Sequence, residues 1–340
     1  MLKVGIVGYG YWGPNLVRNF NANSGFRVTA LADASPAVRE RLSRMMPNVT
    51  VLADAADLIA MSDIDVVAIA TPVATHYGIA RDALERGKHV LVEKPLCMSE
   101  AEATDLIARA ERMDRVLMVD HTFLFTGAVQ TIQNLCRQGE LGELCYIDSL
   151  RVNLGLFQPD VNVLWDLAPH DLAIIDTLIP GEPVEVEASA YCHVNPGLPD
   201  MAFLTLHYSG NKVAHLNLSW MSPAKVRRVT LGGTRKMLIW DDLNAEEKIK
   251  VYNSGIEFQP EAQRSTILPE YRIGDIFSPR VPKHEALAGV VEHMRRVIAK
   301  EEEPIMDGHQ GLRVVRVLER AQQRLDAQLA RISSLGGGRA

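Results

Sequence analysis

Over the first 120 residues, short and almost continuous apolar runs alternate with stretches of helical periodicity. The runs predict strands at Lys3–Val7, Arg27–Ala32, Asp65–Ala70, His89–Val92 and Val116–Val119, with a short extra strand at Val49–Leu52. Between them the pattern predicts helices at Asn15–Asn23, Pro36–Met45, His76–Arg86 and Ser99–Met113. Strands that are apolar on both faces, separated by helices, imply a parallel sheet covered on both sides. This is a doubly wound α/β arrangement, which takes its ligand at the carboxyl ends of the strands.

The rhythm changes near residue 120. A helix at Ala128–Arg137 is followed by longer runs in which polar and apolar residues alternate. These are Glu143–Asn153, Glu185–His193, Met201–Tyr208, Lys212–Trp220, Val226–Gly232 and Lys236–Asp241. Alternation with short turns predicts a largely antiparallel open sheet with one face covered, an α+β domain. Pro169 is best tolerated in a first helical turn, so an intervening helix is expected to start near Asp166 and run to Leu178. Helices at Lys283–Ala299 and His309–Ile332 follow, and the glycine-rich tail from Ser333 is expected to fray. The expected domains are residues 1–120, residues 121–335 and a frayed tail of residues 336–340.

Length and charge narrow the classes. A chain of 340 residues favours two domains over one core. A net charge of −6 argues against non-specific nucleic-acid binding but leaves room for a local basic patch. Cys97, Cys136, Cys145 and Cys192 are scattered, without zinc spacing or a disulfide framework, and fit free thiols in a reducing compartment. No run approaches membrane-spanning length, and strand one leaves no room for a signal peptide. A cytoplasmic protein without a metal site is expected.

The first strand ends in Gly8-Tyr9-Gly10-Tyr11-Trp12-Gly13, and Asp33 closes the second. Strand, G-x-G-x-x-G turn, helix and acidic residue in this order fit a dinucleotide site. Gly8 permits the tight turn, Gly10 admits a pyrophosphate, and Gly13 lets helix and strand pack closely. Pro14 suits the first helical turn, whose free N–H groups face the phosphates. Asp33 can accept from both ribose hydroxyls and repel a 2′-phosphate, which favours NAD, although Arg39 lies only a turn further on.

Three further segments carry candidate chemistry. After the strand ending at Ala70 come Thr71 and Pro72, with His76 in the following turn. His76 fits either a cofactor contact or a helix-start histidine bonded to backbone. The next strand ends in Glu93-Lys94-Pro95, where a lysine beside nicotinamide could polarise a substrate oxygen. Asp166 and His170 lie at i and i+4, on one helix face. The carboxylate could orient the imidazole to exchange a hydroxyl proton, or Asp166 could be a cap with His170 packed beside it.

The glycine turn continued as Pro14-Asn15, Thr71-Pro72 with His76, Glu93-Lys94-Pro95, and Asp166 with His170 together resemble the Gfo/Idh/MocA family of NAD(P)-dependent oxidoreductases. The resemblance spans essentially the whole chain. It implies a Rossmann domain that binds NAD through the glycine turn (Tyr11 and Trp12 included), Asp33, Thr71, Pro72, His76, Glu93 and Lys94. It assigns the catalytic roles to Lys94, Asp166 and His170. The stretches His121-Thr122-Phe123 and Asn153 to Asp171 are similar to a subgroup of nucleotide-sugar 3-dehydrogenases of the UDP-N-acetylglucosamine type.

The resemblance therefore implies hydride transfer at C3 of a nucleotide-linked sugar. A cyclitol, free-sugar or dTDP-deoxysugar enzyme on the same fold remains open. A redox sensor without turnover is also open, but it would not need a proton relay. Lys225, Arg227, Arg228, Arg264, Arg272 and Arg280 are candidate partners for an anionic substrate. Residues 227 and 228 point to opposite faces of a strand, so only one of them can serve. A sheet covered by few helices leaves a face for a homodimer or homotetramer, with Tyr191, Phe203, Leu206, Leu216 and Leu218 as candidates.

Overall fold

The computed structural model describes residues 1–155, 157–158, 160–257 and 270–336. Contacts divide the chain into two compact units. One comprises residues 1–125 and 284–319, the other residues 126–283 and 320–340.

The first unit begins with β1 (Leu2–Val7), α1 (Gly13–Ala22), β2 (Phe26–Ala32), α2 (Pro36–Met45), β3 (Thr50–Leu52) and α3 (Ala55–Ala60). It continues with β4 (Val66–Ile69), α4 (His76–Glu85), β5 (His89–Glu93), α5 (Glu100–Arg112) and β6 (Leu117–Asp120). The strands form one parallel sheet in the order β3-β2-β1-β4-β5-β6. The order reverses between β1 and β4, which opens a crevice at their carboxyl ends. Helix starts are set locally. Ser35 caps α2 ahead of Pro36, and Ser99 accepts from the Glu102 N–H at 3.2 Å to cap α5. The short α3, which no pattern announced, starts on its Asp54 cap.

In the second unit, α6 (Gly127–Arg137), β7 (Leu144–Leu154) and α7 (Val163–Leu178) precede β8 (Glu185–Tyr191), β9 (Met201–Tyr208), β10 (Lys212–Ser219) and β11 (Met221–Gly233). Then come β12 (Met237–Asp241), β13 (Ile249–Tyr252), β14 (Gly255–Glu257), β15 (Glu270–Arg272) and β16 (Ile276–Phe277). Eight of these strands form a sheet ordered β16-β13-β12-β11-β7-β10-β9-β8, antiparallel except for the β7/β10 pair. Burial alternates strictly along β9. Ala202, Leu204, Leu206 and Tyr208 point inward, joined by Leu216 and Leu218 of β10, and α7 packs on this face. Leu206, Leu216 and Leu218 therefore belong to the interior and not to a free outer face. The parity of the strands puts Phe203 and Tyr191 on the opposite face.

The chain closes with α8 (Ala286–Ile298) and α9 (Gly308–Gly336). Residues 284–319 rejoin the first unit instead of continuing the second. Glu285 takes Arg18 and Asn19 of α1, and the Val119 N–H donates to the Met306 carbonyl. No local pattern near residue 120 carries this return. From Arg320 onward α9 belongs to the second unit. There the Gln328 side chain pairs with both backbone groups of Ala190 on the edge strand β8, at 2.7 and 3.2 Å. Helix α9 runs past the expected fraying point at Ser333, and residues 337–340 of the expected tail lie outside the described residues.

Candidate active site

In the first unit a groove of about 610 Å³ is lined by Gly8, Gly10, Asp33, Thr71 and Pro72, among others. Gly8 has φ +93°, and a Cβ there would lie 2.4 Å from the Ala70 carbonyl oxygen. A Cβ on Gly13 would lie 2.4 Å from the Gly8 carbonyl oxygen. Around Gly10, by contrast, no atom lies within 4 Å of an added Cβ. The turn is thus closed on its protein side and open where a pyrophosphate would approach, ahead of the α1 N–H groups. The Asp33 carboxylate is fixed by the N–H groups of Tyr9 and Ser35, each at 2.8 Å, and keeps lone pairs for ribose hydroxyls. The Arg39 guanidinium is held by the carbonyls of Asp33 and Ala34 at 2.8 and 2.7 Å. These residues fit a dinucleotide.

His76 is 1% exposed, and its nitrogens face the carbonyls of Pro95 and Thr71 at 2.9 and 2.8 Å. It braces the loops after β4 and β5 instead of lining the groove. Trp12 stacks on the exposed Tyr11 and donates its indole N–H to Asp120 at 2.8 Å. Glu93 ends β5, and Lys94 follows, joined to Pro95 by a cis peptide.

In the second unit, α7 starts at Val163 and not near Asp166. Asn162 accepts from the N–H groups of Leu164 and Trp165 at 3.0 and 3.2 Å and so caps the helix one turn earlier. Pro169 therefore sits inside the helix. The interior position forfeits one backbone bond, a cost of about 3 kcal/mol that the rest of the helix must absorb.

Asp166 and His170 share a face, both half-buried. Asp166 is thus not the cap. Its carboxylate accepts the Trp220 indole N–H at 3.1 Å. The next residue after His170, Asp171, is 2% exposed and grips Arg151 through two bonds of 2.8 and 2.7 Å. Gln322 of α9 accepts from the side chains of both Asn162 and Trp165, at 2.9 and 3.0 Å. Trp220, Arg151 and Gln322 carry no sequence motif, and only the fold reveals them.

Register places Arg227 opposite the buried Arg151, on the inner face of the sheet and 3.7 Å from Asp242. Arg228 is turned outward and pairs with Asp241 at 2.9 Å. Arg272 donates to the Arg235 carbonyl, Lys225 and Arg280 are exposed, and Arg264 lies outside the described residues.

A six-stranded Rossmann sheet with an open glycine cradle, joined in one chain to an open mostly antiparallel sheet, defines a two-unit dinucleotide-dependent oxidoreductase. The chain belongs to the Gfo/Idh/MocA family. The model of an oxidoreductase family with an NAD-binding Rossmann fold matches residues 2–121, and that of the Gfo/Idh/MocA C-terminal domain matches residues 129–239. An uncharacterized oxidoreductase of Escherichia coli, YdgJ, is 30% identical over 263 residues, 73% of each chain. The UDP-N-acetylglucosamine 3-dehydrogenase of Acidithiobacillus ferrooxidans is 27% identical over 333 residues, covering 97% of this chain and 99% of that one. The solved structure of that dehydrogenase superposes with a TM-score of 0.79, at 25% identity over 96% of this chain and 99% of its own. An oxidoreductase structure from Magnetospirillum magnetotacticum gives a TM-score of 0.80 at 28% identity, over 94% and 99%.

Proposed function

We propose that this enzyme is an NAD-dependent dehydrogenase acting at C3 of a nucleotide-linked sugar. In this reading the first unit binds the dinucleotide and the second the sugar. When bound, the nicotinamide gives or takes the hydride. His170 exchanges the hydroxyl proton, Asp166 holds the imidazole, and Lys94 stabilises the developing charge on the substrate oxygen. The observation that carries the reading is Asp166 and His170 on one face of α7, with the Trp220 N–H fixing the carboxylate. Similarity to the Acidithiobacillus dehydrogenase over nearly the full length supports the choice of sugar.

For an anionic substrate the reading selects Arg227 over Arg228. Arg227→Ala raises KM strongly and Arg228→Ala does not. Turnover is measured with NAD across UDP-sugars, dTDP-sugars, inositols and free hexoses. Activity on inositol or glucose with none on nucleotide sugars replaces the reading with a cyclitol or free-sugar dehydrogenase. A higher catalytic efficiency with NADP than with NAD removes the role given to Asp33.

The same reading takes the protein to be a cytoplasmic homodimer or homotetramer, joined through the outer sheet face that bears Phe203. Among the described residues no helix is long and apolar enough to cross a membrane. Sedimentation that shows only monomer at micromolar concentration overturns the assembly.

A further inference from the structure

Four ionisable side chains follow one another at the carboxyl ends of β5 and β6: Glu93, Lys94, Asp120 and His121. Glu93 and Asp120 are register partners on adjacent parallel strands, so their side chains leave the same face of the sheet at the same level. Two carboxylates side by side repel each other, and a proton on one of them turns the repulsion into a hydrogen bond.

The remaining partners decide which one. Both oxygens of Asp120 accept, Oδ2 from the Trp12 indole at 2.8 Å and Oδ1 from the Thr122 hydroxyl at 2.7 Å. Glu93 Oε2 accepts the Lys94 backbone N–H at 3.0 Å, which leaves Oε1 to hold the proton. Burial pushes both carboxyl groups above the usual range. The negative neighbour Asp120 drives Glu93 further up, while the Thr122 and Trp12 donors draw Asp120 back.

His121 does not share this load. It is 2% exposed, burial pushes its pKa down to about 3, and neither ring nitrogen has a hydrogen-bond partner among the described residues. The charge balance points the same way. Two carboxylates against the ammonium of Lys94 would leave a surplus negative charge beside the buried Asp120, and one proton removes it.

We infer that Glu93 and Asp120 hold one proton between them, carried by Glu93, and that the charge left on Asp120 positions the Trp12 indole and the Lys94 ammonium. Glu93 and Asp120 are positioning residues. A single charge then orients one group on the glycine-rich turn and one on the loop after β5.

The test uses the full chain, labelled with ¹⁵N-tryptophan and free of cofactor, so it does not depend on the substrate. The Trp12 indole resonance is assigned with Trp12→Phe. At about pH 8, where free carboxyl groups are ionised, the infrared spectrum shows a protonated-carboxyl band that Glu93→Gln abolishes. The Trp12 resonance keeps its position in Glu93→Gln, whose amide still donates to Asp120, and shifts in Asp120→Asn. With substrate, Asp120→Asn lowers kcat about tenfold, with a smaller change in KM. If Glu93→Gln removes no protonated-carboxyl band, or if Asp120→Asn leaves the Trp12 resonance in place, the inference fails. Should Asp120→Asn not fold, the infrared comparison of Glu93→Gln with the parent still decides.

Discussion

Each unit aims a tryptophan N–H at a carboxylate among its candidate site residues, but the two are supported differently. In the first, Trp12 reaches Asp120 within a cluster built by strand ends and the glycine turn. In the second, Trp220 reaches Asp166 on α7, and the helix is pinned by Arg151 from β7 and Gln322 from α9. The first cradle is made of backbone and the second of long side chains from distant sequence. Backbone geometry tolerates side-chain replacement outside its glycines, whereas a side-chain scaffold can lose its grip one residue at a time.

The largest expected effect is on the second scaffold. Arg151→Met leaves the Asp171 carboxylate buried without its partner and costs about 3–5 kcal/mol in denaturant unfolding. Replacing both partners by apolar residues restores most of that loss. If the single change costs less than the double, the salt bridge is not what holds α7.

Next come the chemical groups themselves. Lys94→Ala and His170→Ala each lower turnover at least about a hundredfold, with NAD affinity changing far less. Near-normal turnover in either variant would remove the role proposed for that residue. Smaller again is Trp220→Phe, which keeps the ring and removes the donor to Asp166. Turnover falls about tenfold, and KM changes less. Equal losses in kcat from Trp220→Phe and Trp220→Ala would make the ring, not the N–H, the important part. Asn162→Ala removes the α7 cap and costs about 1 kcal/mol, read from the shift in melting temperature.

A further effect belongs to the first unit and depends on pH. Burial pushes the His89 pKa down to about 4 and that of His121 to about 3, from an ordinary value of 6.5. Between these values the unfolded chain binds more protons than the folded one, so stability is full above about pH 6.5 and declines as pH falls toward 4. Melting temperatures measured across that window should fall, and His89→Gln should flatten the curve.

The sequence was most legible where the chemistry is local. The strand, the glycine turn and Asp33 announce the cradle because each residue does its work within a few positions of its neighbours. The strands of the parallel sheet match their apolar runs to within a residue or two for the same reason. The start of α7 was misplaced because Pro169 suggested a first turn, whereas the Asn162 cap, itself held by Gln322, set the start a turn earlier. The parity of Leu206, Leu216 and Leu218 depended on which sheet face α7 covers, and a strand's own pattern does not name the covered face. Trp220, Arg151 and Gln322 come from separate elements, so no spacing marks them as a set. The return of residues 284–319 to the first unit is likewise a long-range choice.

The amide of Gln328 occupies the donor and acceptor of Ala190 at the rim of the large sheet, and Arg320 caps the nearby carbonyls of Pro183 and Val184. A rim with bare backbone groups is a template onto which another copy's strand can zip, and repeated zipping grows a fibre. The final turns of α9 thus cover part of that rim, and removing them from Arg320 onward would bare these backbone groups to a pairing strand.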